Sequence, residues 1–431
     1  MLQENRDLAG KRNNAKMVIG YDLGRQFSQV SYYAVGDADP CTVSPVAGTE
    51  QYNIPTVLCK RVGVSQWYYG KEALKNQGEE GILVDHLLEK ALQGEEVLVE
   101  ETTFDPVALL TLFIKRSLAT LNMQVSLNRA EVFMFTVEEL TPRMVEVLGK
   151  VVSGLQLKCP QICFQSHIES FYYYMLHQQA ELWKREVFVF EYNDTLKTLR
   201  FQCNRHTTPR VVFIEHLDYP EMKRVDWAQR MAQQQELDAQ FGQLCESCLH
   251  ETDVSTVFLI GEGFKEGWTR ESLKILCHNR RVFQGNNLYS KGACYAGMEK
   301  LNPQESTREY VYLGEDKLKS NIGMRALRRG EDSYLAILDA GVNWYEAKTD
   351  FDLILESGNV LCFTITPLTG ENIMDKTVTL DGLPERPRCT TRLRIHAEMT
   401  AIHTLTLEIT DMGFGELFKS SGRAWTHTLQ V

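Results

Sequence analysis

Short apolar runs that end at Asp or Gly alternate with helical patterns over most of the chain. Val18–Gly24 ends in Asp-Leu-Gly, and Ser28–Ala34 follows it as a second strand, so the two predict a hairpin. Ala130–Phe135 is another short apolar strand. Thr141 and Pro142 then open a helix with one apolar stripe, because Pro suits the first helical turn. This order of strands and helices predicts an α/β fold.

A second series of the same kind follows. Glu186–Tyr192 predicts a strand, and Val211–Ile214 predicts another. A long helical pattern, Asp226–Leu249, leads to the apolar run Thr256–Gly261. The repeat lies in the order of elements and not in the sequence itself. It predicts two duplicated lobes, at about 17–185 and about 186–302.

The pattern changes beyond Asn302. Residues 303–320 begin as a polar stretch, and we interpret them as a linker. Further on, Leu393, Ile395 and Ala397 alternate with polar residues, as half-buried antiparallel strands do. We therefore expect a β-sandwich at 321–431. At the other end, residues 1–16 lack apolar periodicity, which predicts a flexible tail.

Composition narrows the class of protein. The formal net charge of −11 argues against nucleic acid as the main partner, because affinity for phosphate backbones rests on Lys and Arg. The longest apolar stretch, Val107–Ile114, is too short for a bilayer, which needs about twenty such residues, so we expect no membrane insertion. Eleven Cys without a secretion signal indicate reduced thiols and a cytoplasmic protein.

The strand-to-turn segment Ile19–Gly24 resembles the first phosphate loop of actin, sugar kinases and DnaK-type heat-shock chaperones. The first strand of that superfamily ends in Asp-x-Gly, and Asp22 and Gly24 have those places here. The resemblance implies that Gly24 lets the turn approach a phosphate and that Asp22 orients Mg²⁺ through its waters. It also places Arg25 and Gln26 at the phosphate, where the chaperones have a pair of Thr.

Two later segments extend the resemblance. Val257–Phe264 is similar to the adenosine motif of this superfamily, in which glycine lets the backbone lie against base and ribose. The resemblance thus implies nucleotide contacts at Gly261, Glu262, Gly263 and Phe264. Val378–Pro384 and the alternating strands after it resemble the substrate-binding β-domain of the chaperones. This order favours DnaK-like proteins over actin and sugar kinases, and we expect no helical lid.

The second phosphate loop departs from the chaperone pattern. The chaperones have an Asp and a run of Gly there, whereas Glu191–Leu196 contains no glycine. Side chains on every residue obstruct the bare N–H groups that a glycine-rich loop offers to phosphate. Glu191 stands in place of the Asp and is one methylene longer.

Three functions stay open. The first is a chaperone-like protein with a divergent ATP-binding domain, which binds ATP or ADP with Mg²⁺, and a β-sandwich that binds a peptide or a partner protein. The second is a slow Mg-dependent ATPase, in which Asp22 orients the metal and Glu191 positions water. The third is a nucleotide-free scaffold, with Arg25 and residues 191–196 filling the cleft. His167 receives no catalytic role, because the aromatic helix that it opens is typical of a core.

Overall fold

The computed structural model describes residues 16–431 except 47, 122–124, 207–208, 224–230, 251, 266, 286, 315, 329 and 368–372. The tail predicted at 1–16 lies outside the described residues, apart from Lys16. The fold is mixed α/β. The chain divides into two compact units, Met1–Tyr312 and Leu313–Val431, and the division falls inside the segment predicted as a linker, 303–320.

The first unit contains seventeen strands and nine helices among its described residues. The strands are β1 (Met17–Leu23), β2 (Phe27–Ala34), β3 (Cys41–Thr42), β4 (Ile54–Pro55), β5 (Leu58–Arg61), β6 (Trp67–Tyr69), β7 (Gly81–Val84), β8 (Val97–Val99), β9 (Thr102–Phe104), β10 (Ala130–Val137), β11 (Gln161–Ser166), β12 (Glu186–Tyr192), β13 (Thr195–Asn204), β14 (Arg210–Lys223), β15 (Val254–Ile260), β16 (Arg281–Gln284) and β17 (Tyr310–Tyr312). The helices are α1 (Gly70–Lys75), α2 (Leu87–Gln93), α3 (Pro106–Leu121), α4 (Pro142–Leu155), α5 (His167–Leu176), α6 (Met231–Leu249), α7 (Glu271–Leu276), α8 (Leu288–Leu301) and α9 (Glu305–Arg308).

Two six-stranded sheets repeat one arrangement in the first unit. In the first sheet β1 pairs antiparallel with β2 and parallel with β10, which pairs parallel with β11. In the second sheet β12 pairs antiparallel with β13 and parallel with β15, which pairs parallel with β16. The central strands β1 and β15 are buried at every residue, as parallel strands covered on both faces are. Two small sheets, β6-β5-β7 and β8-β9, complete the unit.

Helix α8 packs directly on the first sheet and on α5. This close packing requires one glycine in the helix and one in the sheet. A Cβ on Gly292 of α8 would lie 2.0 Å from the backbone oxygen of Ser170, and a Cβ on Gly20 of β1 would lie 2.3 Å from that of Ser290. Real Cβ atoms do not come this close, so the helix can pack at this distance only because both residues are glycine. This contact fixes where the first turns of α5 and α8 meet.

The predicted linker is partly regular structure. Helix α9 lies within it, and Tyr310–Tyr312 forms β17, which pairs parallel with β14. Tyr310 also accepts a hydrogen bond at its hydroxyl from Arg210, at 2.7 Å, and Tyr172 stacks on Tyr312. Residues up to Tyr312 therefore belong to the second sheet of the first unit. The sequence did not reveal this because three residues of edge strand carry no periodic signal.

The second unit is rich in strands, as predicted. Its strands are β18 (Ser320–Arg328), β19 (Glu331–Leu338), β20 (Lys348–Leu355), β21 (Val360–Pro367), β22 (Met374–Thr379), β23 (Thr391–Ala401), β24 (Thr404–Gly413) and β25 (Ala424–Gln430). They form two four-stranded sheets, ordered β19-β18-β21-β22 and β20-β23-β24-β25. The alternation predicted in β23 is confirmed, since Leu393, Ile395 and Ala397 are fully buried and Arg392 and Arg394 are exposed.

A buried ion pair anchors one end of the second unit. Arg386 donates two hydrogen bonds to the carboxylate of Asp411, each of 2.8 Å, and the Asp411 side chain is completely buried. The backbone N–H groups of Gly413 and Ser421 donate to the same carboxylate. The Arg386 guanidinium and these donors hold the pKa of Asp411 well below its usual range. The pair holds the turn after β24 against Asp411, because an unpaired charge in the interior would be strongly destabilising.

No helix in the described part of the chain is both long and apolar enough to cross a membrane.

The close packing of α8 on α5 gives a stability prediction. We expect Gly292→Ala to lower the free energy of unfolding of the first unit by roughly 1–3 kcal/mol, because the added methyl overpacks the contact with Ser170. Gly149→Ala is the matched control, since Gly149 lies in α4 with open space where the methyl would stand, and it should stabilise by about 0.5–1 kcal/mol. Urea unfolding measures both. Equal effects of the two substitutions would show that α8 does not depend on this close approach.

Candidate functional site

A cavity of about 440 Å³ opens in the first unit where β1 and β12 end. Its size is that of a typical small-molecule site. Within each sheet the carboxyl ends of the parallel strands lie at one edge, and the turns after β1 and β12 line the cavity from the two different sheets. The polar and charged residues that line it are Asp22, Arg25, Gln26, Gln29, Asn53, Glu138, Glu139, Thr141, His167, Glu191, Asn193, Asp194, Thr195, Lys197 and Tyr289.

Asp22 and the turn after β1 contribute four residues to the cavity lining, Asp22, Gly24, Arg25 and Gln26, for which the resemblance implied contact with phosphate or hydrated Mg²⁺. Gly24 is also required by the hairpin, since a Cβ there would lie 2.2 Å from the backbone oxygen of Phe27. Arg25 is exposed and lies 3.3 Å from the carboxylate of Glu138. The guanidinium thus already has an anionic partner in the protein.

The two predicted catalytic carboxylates, Asp22 and Glu191, are joined by a pair of stacked rings. Nε2 of His167 lies 2.8 Å from Oδ1 of Asp22. The His167 ring stacks on Tyr289, with ring centroids 4.0 Å apart and the planes inclined by 9°. The hydroxyl of Tyr289 donates to Oε2 of Glu191 at 2.7 Å. We call these four residues the carboxylate bridge.

Electrostatics favour a charged imidazole in this bridge. Burial by itself would lower the pKa of His167, but the attraction of Asp22 and its hydrogen bond, with smaller effects of Glu191 and Glu138, outweigh burial and raise that pKa above the ordinary value. Burial and the neighbouring Glu191 raise the pKa of Tyr289, so its hydroxyl stays protonated and donates. Both shifts thus favour the protonated imidazole and the protonated phenol between Asp22 and Glu191.

The turn after β12 is tied to the turn after β1. The side-chain amide of Gln26 donates to both carboxylate oxygens of Asp194, at 2.8 and 2.7 Å. In the same turn Asn193 donates to Oε1 of Glu191 at 3.0 Å and accepts from the backbone N–H of Glu262 at 3.2 Å. The glycine-free loop thus bonds to protein groups on either side of the cavity.

Glu138 is the ion-pair partner of the other cationic side chains that line the cavity. It forms ion pairs with Lys197 and Arg25. Burial opposes the charged form of both Glu138 and Lys197, but their hydrogen bond and mutual attraction lower the pKa of Glu138 and raise that of Lys197. Both cationic side chains that line the cavity besides His167 are therefore paired with a carboxylate.

The segment predicted to contact adenosine is divided by the structure. Gly261, at φ +101°, lines the cavity, and a Cβ there would lie 2.4 Å from the backbone oxygen of Tyr192. Gly263 packs under the Tyr192 ring, and Phe264 is buried among Phe241 and Trp268. Glu262 accepts from Asn53 and pairs with Lys265. Of the four predicted contacts, Gly261 alone is among the described residues that line the cavity.

His167, Tyr289, Glu138 and Lys197 were not predicted as site residues. One signal was available for His167, because Ser166 ends β11 and caps α5, its hydroxyl accepting from the N–H of Glu169 at 3.2 Å. A polar residue that follows β11 lies at the same sheet edge as Asp22, because β11 pairs parallel with β10 and β10 pairs parallel with β1. Tyr289 offered no such signal, since its position depends on how α8 packs.

Direct metal ligation has no support in the described residues, where no three His, Cys, Asp or Glu side chains converge on one point. Mg²⁺ that is held through its waters needs fewer direct protein ligands. Whether the site suits Mg²⁺ then depends on the carboxylate that would bond to those waters. The expected donor is Asp22, and His167 occupies one of its oxygens. The contact with His167 therefore competes with the role of Asp22 as a carboxylate that orients hydrated Mg²⁺.

Two family models match the chain. One, described as the C-terminal part of a family of unknown function (DUF5716), matches residues 39–315. The other, described as a domain of unknown function (DUF8552), matches residues 317–431. The first match covers more than half of the chain, which therefore belongs to that family. The two matches meet close to the division between the two units. No curated protein matches the chain.

The bridge predicts a pH-dependent stability. A raised folded-state pKa means that protonated His167 stabilises the fold fully below its ordinary pKa of 6.5, and that this contribution disappears as pH rises through the folded-state value. We therefore expect His167→Gln to destabilise the first unit more at pH 5.5 than at pH 9 in urea unfolding, because only the protonated ring makes this contribution. The exposed His403→Gln should change little at either pH. A loss that is equal at both pH values would contradict a charged His167.

Proposed function

We propose that this member of the DUF5716 C-terminal family has the nucleotide-binding fold of actin and DnaK in its first unit and a DnaK-type β-sandwich in its second. Support for the first part comes from the two sheets, which share one order of hairpin and parallel strands. Support for the second comes from the paired four-stranded sheets, which follow the first unit in the order that the resemblance implies. The proposal accounts for a cavity at the ends of β1 and β12.

The function that we propose is that of a chaperone-like pseudo-ATPase. The cavity holds a nucleotide without hydrolysing it efficiently, and the strand-rich unit binds a peptide or a partner protein. The observation that carries this proposal is the carboxylate bridge. Asp22 and Glu191 are the groups that hydrolysis would use, and both already have partners in the protein. Asp22 is bonded to His167, and Glu191 accepts hydrogen bonds from Tyr289 and Asn193.

The bridge argues against the slow Mg-dependent ATPase. That mechanism needs Asp22 to orient hydrated Mg²⁺ and Glu191 to position the attacking water. The charged imidazole beside Asp22 supplies the positive charge there, and the Tyr289 hydroxyl occupies Glu191. Breaking the bridge would leave two carboxylates and a cation in a buried site, which is costly.

The nucleotide-free scaffold is the second candidate, and one contact favours it. Gln26 and Asp194 lie in the two turns that would face a phosphate chain, and they bond to each other instead. Gln26 is also one of the residues that the resemblance places at the phosphate. A nucleotide would have to displace this contact, and Arg25 and Lys197 would have to leave Glu138 to neutralise its phosphates.

A ligand titration separates the two candidates. We expect ATP and ADP to raise the melting temperature of the full chain to a similar extent, because Arg25 and Lys197, which could neutralise a third phosphate, are both paired with Glu138. A ligand that binds only the native state at 100 times its Kd adds about 2.7 kcal/mol of stability. The measurement is thermal unfolding across a nucleotide series with Mg²⁺ present.

The control is a variant that fills the cavity. Thr195 lines the cavity and is half-buried, so Thr195→Trp should abolish the nucleotide effect. Thr400→Trp, at an exposed position of the second unit, should preserve it. No shift with the wild-type protein at millimolar nucleotide would remove the pseudo-ATPase and leave the scaffold.

A further inference from the structure

Three side chains of a type that binds anions line the cavity of the first unit. Arg25 and Gln26 come from the turn after β1, and Lys197 comes from β13 in the other sheet. Guanidinium and ammonium groups bind carboxylates and phosphates alike, because both are oxyanions with several acceptor sites. In the structure each of the three side chains is already bonded to a carboxylate of the protein. The groups that would bind a phosphate are therefore present but occupied.

Glu138 holds the two cations. It follows β10 directly, and its two carboxylate oxygens are divided between them. Oε2 lies 3.3 Å from Nε of Arg25, and Oε1 accepts a hydrogen bond from Nζ of Lys197. A second carboxylate, that of Asp218, lies 4.0 Å from Nζ of Lys197, but it is exposed and does not line the cavity. Because Arg25 and Lys197 both reach one carboxylate, they are also close enough together to bind one phosphate group.

Asp194 has the same relation to Gln26. It lies in the turn between β12 and β13, and both of its carboxylate oxygens accept hydrogen bonds from Nε2 of Gln26, at 2.8 and 2.7 Å. An amide that donates to the oxygens of a carboxylate can donate to phosphate oxygens in the same way. Gln26 and Asp194 are both exposed, so water competes with this contact more than with the contacts of the half-buried Glu138. The carboxylate of Glu138 is therefore the more strongly held of the two.

We propose that Glu138 and Asp194 are autoinhibitory carboxylates, which stand where phosphate groups would bind and so keep a latent polyphosphate site closed. The ligand class is a diphosphate or a triphosphate, either inorganic or part of a nucleotide. The site accepts such a ligand only when Arg25, Lys197 and Gln26 leave these two carboxylates. For a nucleotide the proposal rests on the proposed function, whereas for an inorganic polyphosphate it needs no bound base and stands by itself.

The charge of the cavity explains why the site is closed. Among the described residues that line it, the cations are Arg25, Lys197 and protonated His167, and five carboxylates oppose them: Asp22, Glu138, Glu139, Glu191 and Asp194. A polyphosphate would add to this excess of negative charge and be repelled. Neutralising Glu138 and Asp194 leaves three carboxylates and three cations, so the repulsion falls as the cations become available.

Glu138→Gln tests the proposal in the full chain, with inorganic pyrophosphate as the probe. The amide keeps the size of the side chain but loses its charge, so Arg25 and Lys197 become available. We expect calorimetric titration to show that Glu138→Gln binds pyrophosphate about tenfold or more tightly than the wild type does, on the scale of a charge-assisted hydrogen bond. Asp194→Asn, at an exposed position, should give a smaller gain. Adding Lys197→Gln to Glu138→Gln should remove the gain.

Glu139→Gln is the matched control. Glu139 lines the same cavity and loses the same charge, but among the described residues it forms no ion pair with Arg25 or Lys197. We expect its affinity for pyrophosphate to equal that of the wild type, and a melting curve confirms that each variant is folded. An equal gain in Glu139→Gln, no gain in a folded Glu138→Gln protein, or a gain that survives Lys197→Gln would each overturn the proposal.

Nucleotides separate this proposal from the proposed function. We expect ATP to raise the melting temperature of Glu138→Gln more than ADP does, because Arg25 and Lys197 are then available to the third phosphate, whereas the wild type responds to both alike. A wild type that ignores both nucleotides would remove the pseudo-ATPase. The pyrophosphate titration would still decide whether Glu138 and Asp194 are autoinhibitory, since it involves no base.

Discussion

The first unit depends on one constraint, which is that the carboxylates of Asp22 and Glu191 are partly or fully withdrawn from solvent and need partners. Asp22 is buried near the end of β1, Glu191 is half-buried near the end of β12, and a desolvated carboxylate is stable only with donors or a positive charge. His167 and Tyr289 supply both in a single stack. Because the four residues come from β1, α5, α8 and β12, the bridge also ties the two repeated sheets together.

The stack exists only because two helices come unusually close. His167 lies one turn before Ser170 in α5, and Tyr289 lies one turn before Gly292 in α8. Gly292 sits against the backbone oxygen of Ser170, so the contact between the helices sets the distance between the rings. The packing of the two helices thereby sets which side chains stand together in the cavity. The same logic explains Gly261 and Gly263, which fit against Tyr192 whether or not a nucleotide is present.

The sequence was informative where a signal is local. The hairpin that brings Asp22, Gly24, Arg25 and Gln26 to the cavity, and the alternation in β23, follow from periodicity and turn residues. Contacts between distant segments carry no such signal, so the pairing of Gln26 with Asp194, the stacking of His167 on Tyr289 and the position of Phe264 in the core were missed. The short strand β17 inside the predicted linker was also missed, because three residues are too few to show a periodic pattern.

The central claim is that the carboxylate bridge replaces the machinery for hydrolysis. Phosphate release from ATP under single-turnover conditions, with protein in excess and Mg²⁺ present, tests it most directly. The account predicts release at the rate of the buffer alone for the wild type and for Asp22→Asn. Release from the wild type that is clearly faster than buffer and is lost in Asp22→Asn would contradict the account, because it would show Asp22 free to act on a bound nucleotide.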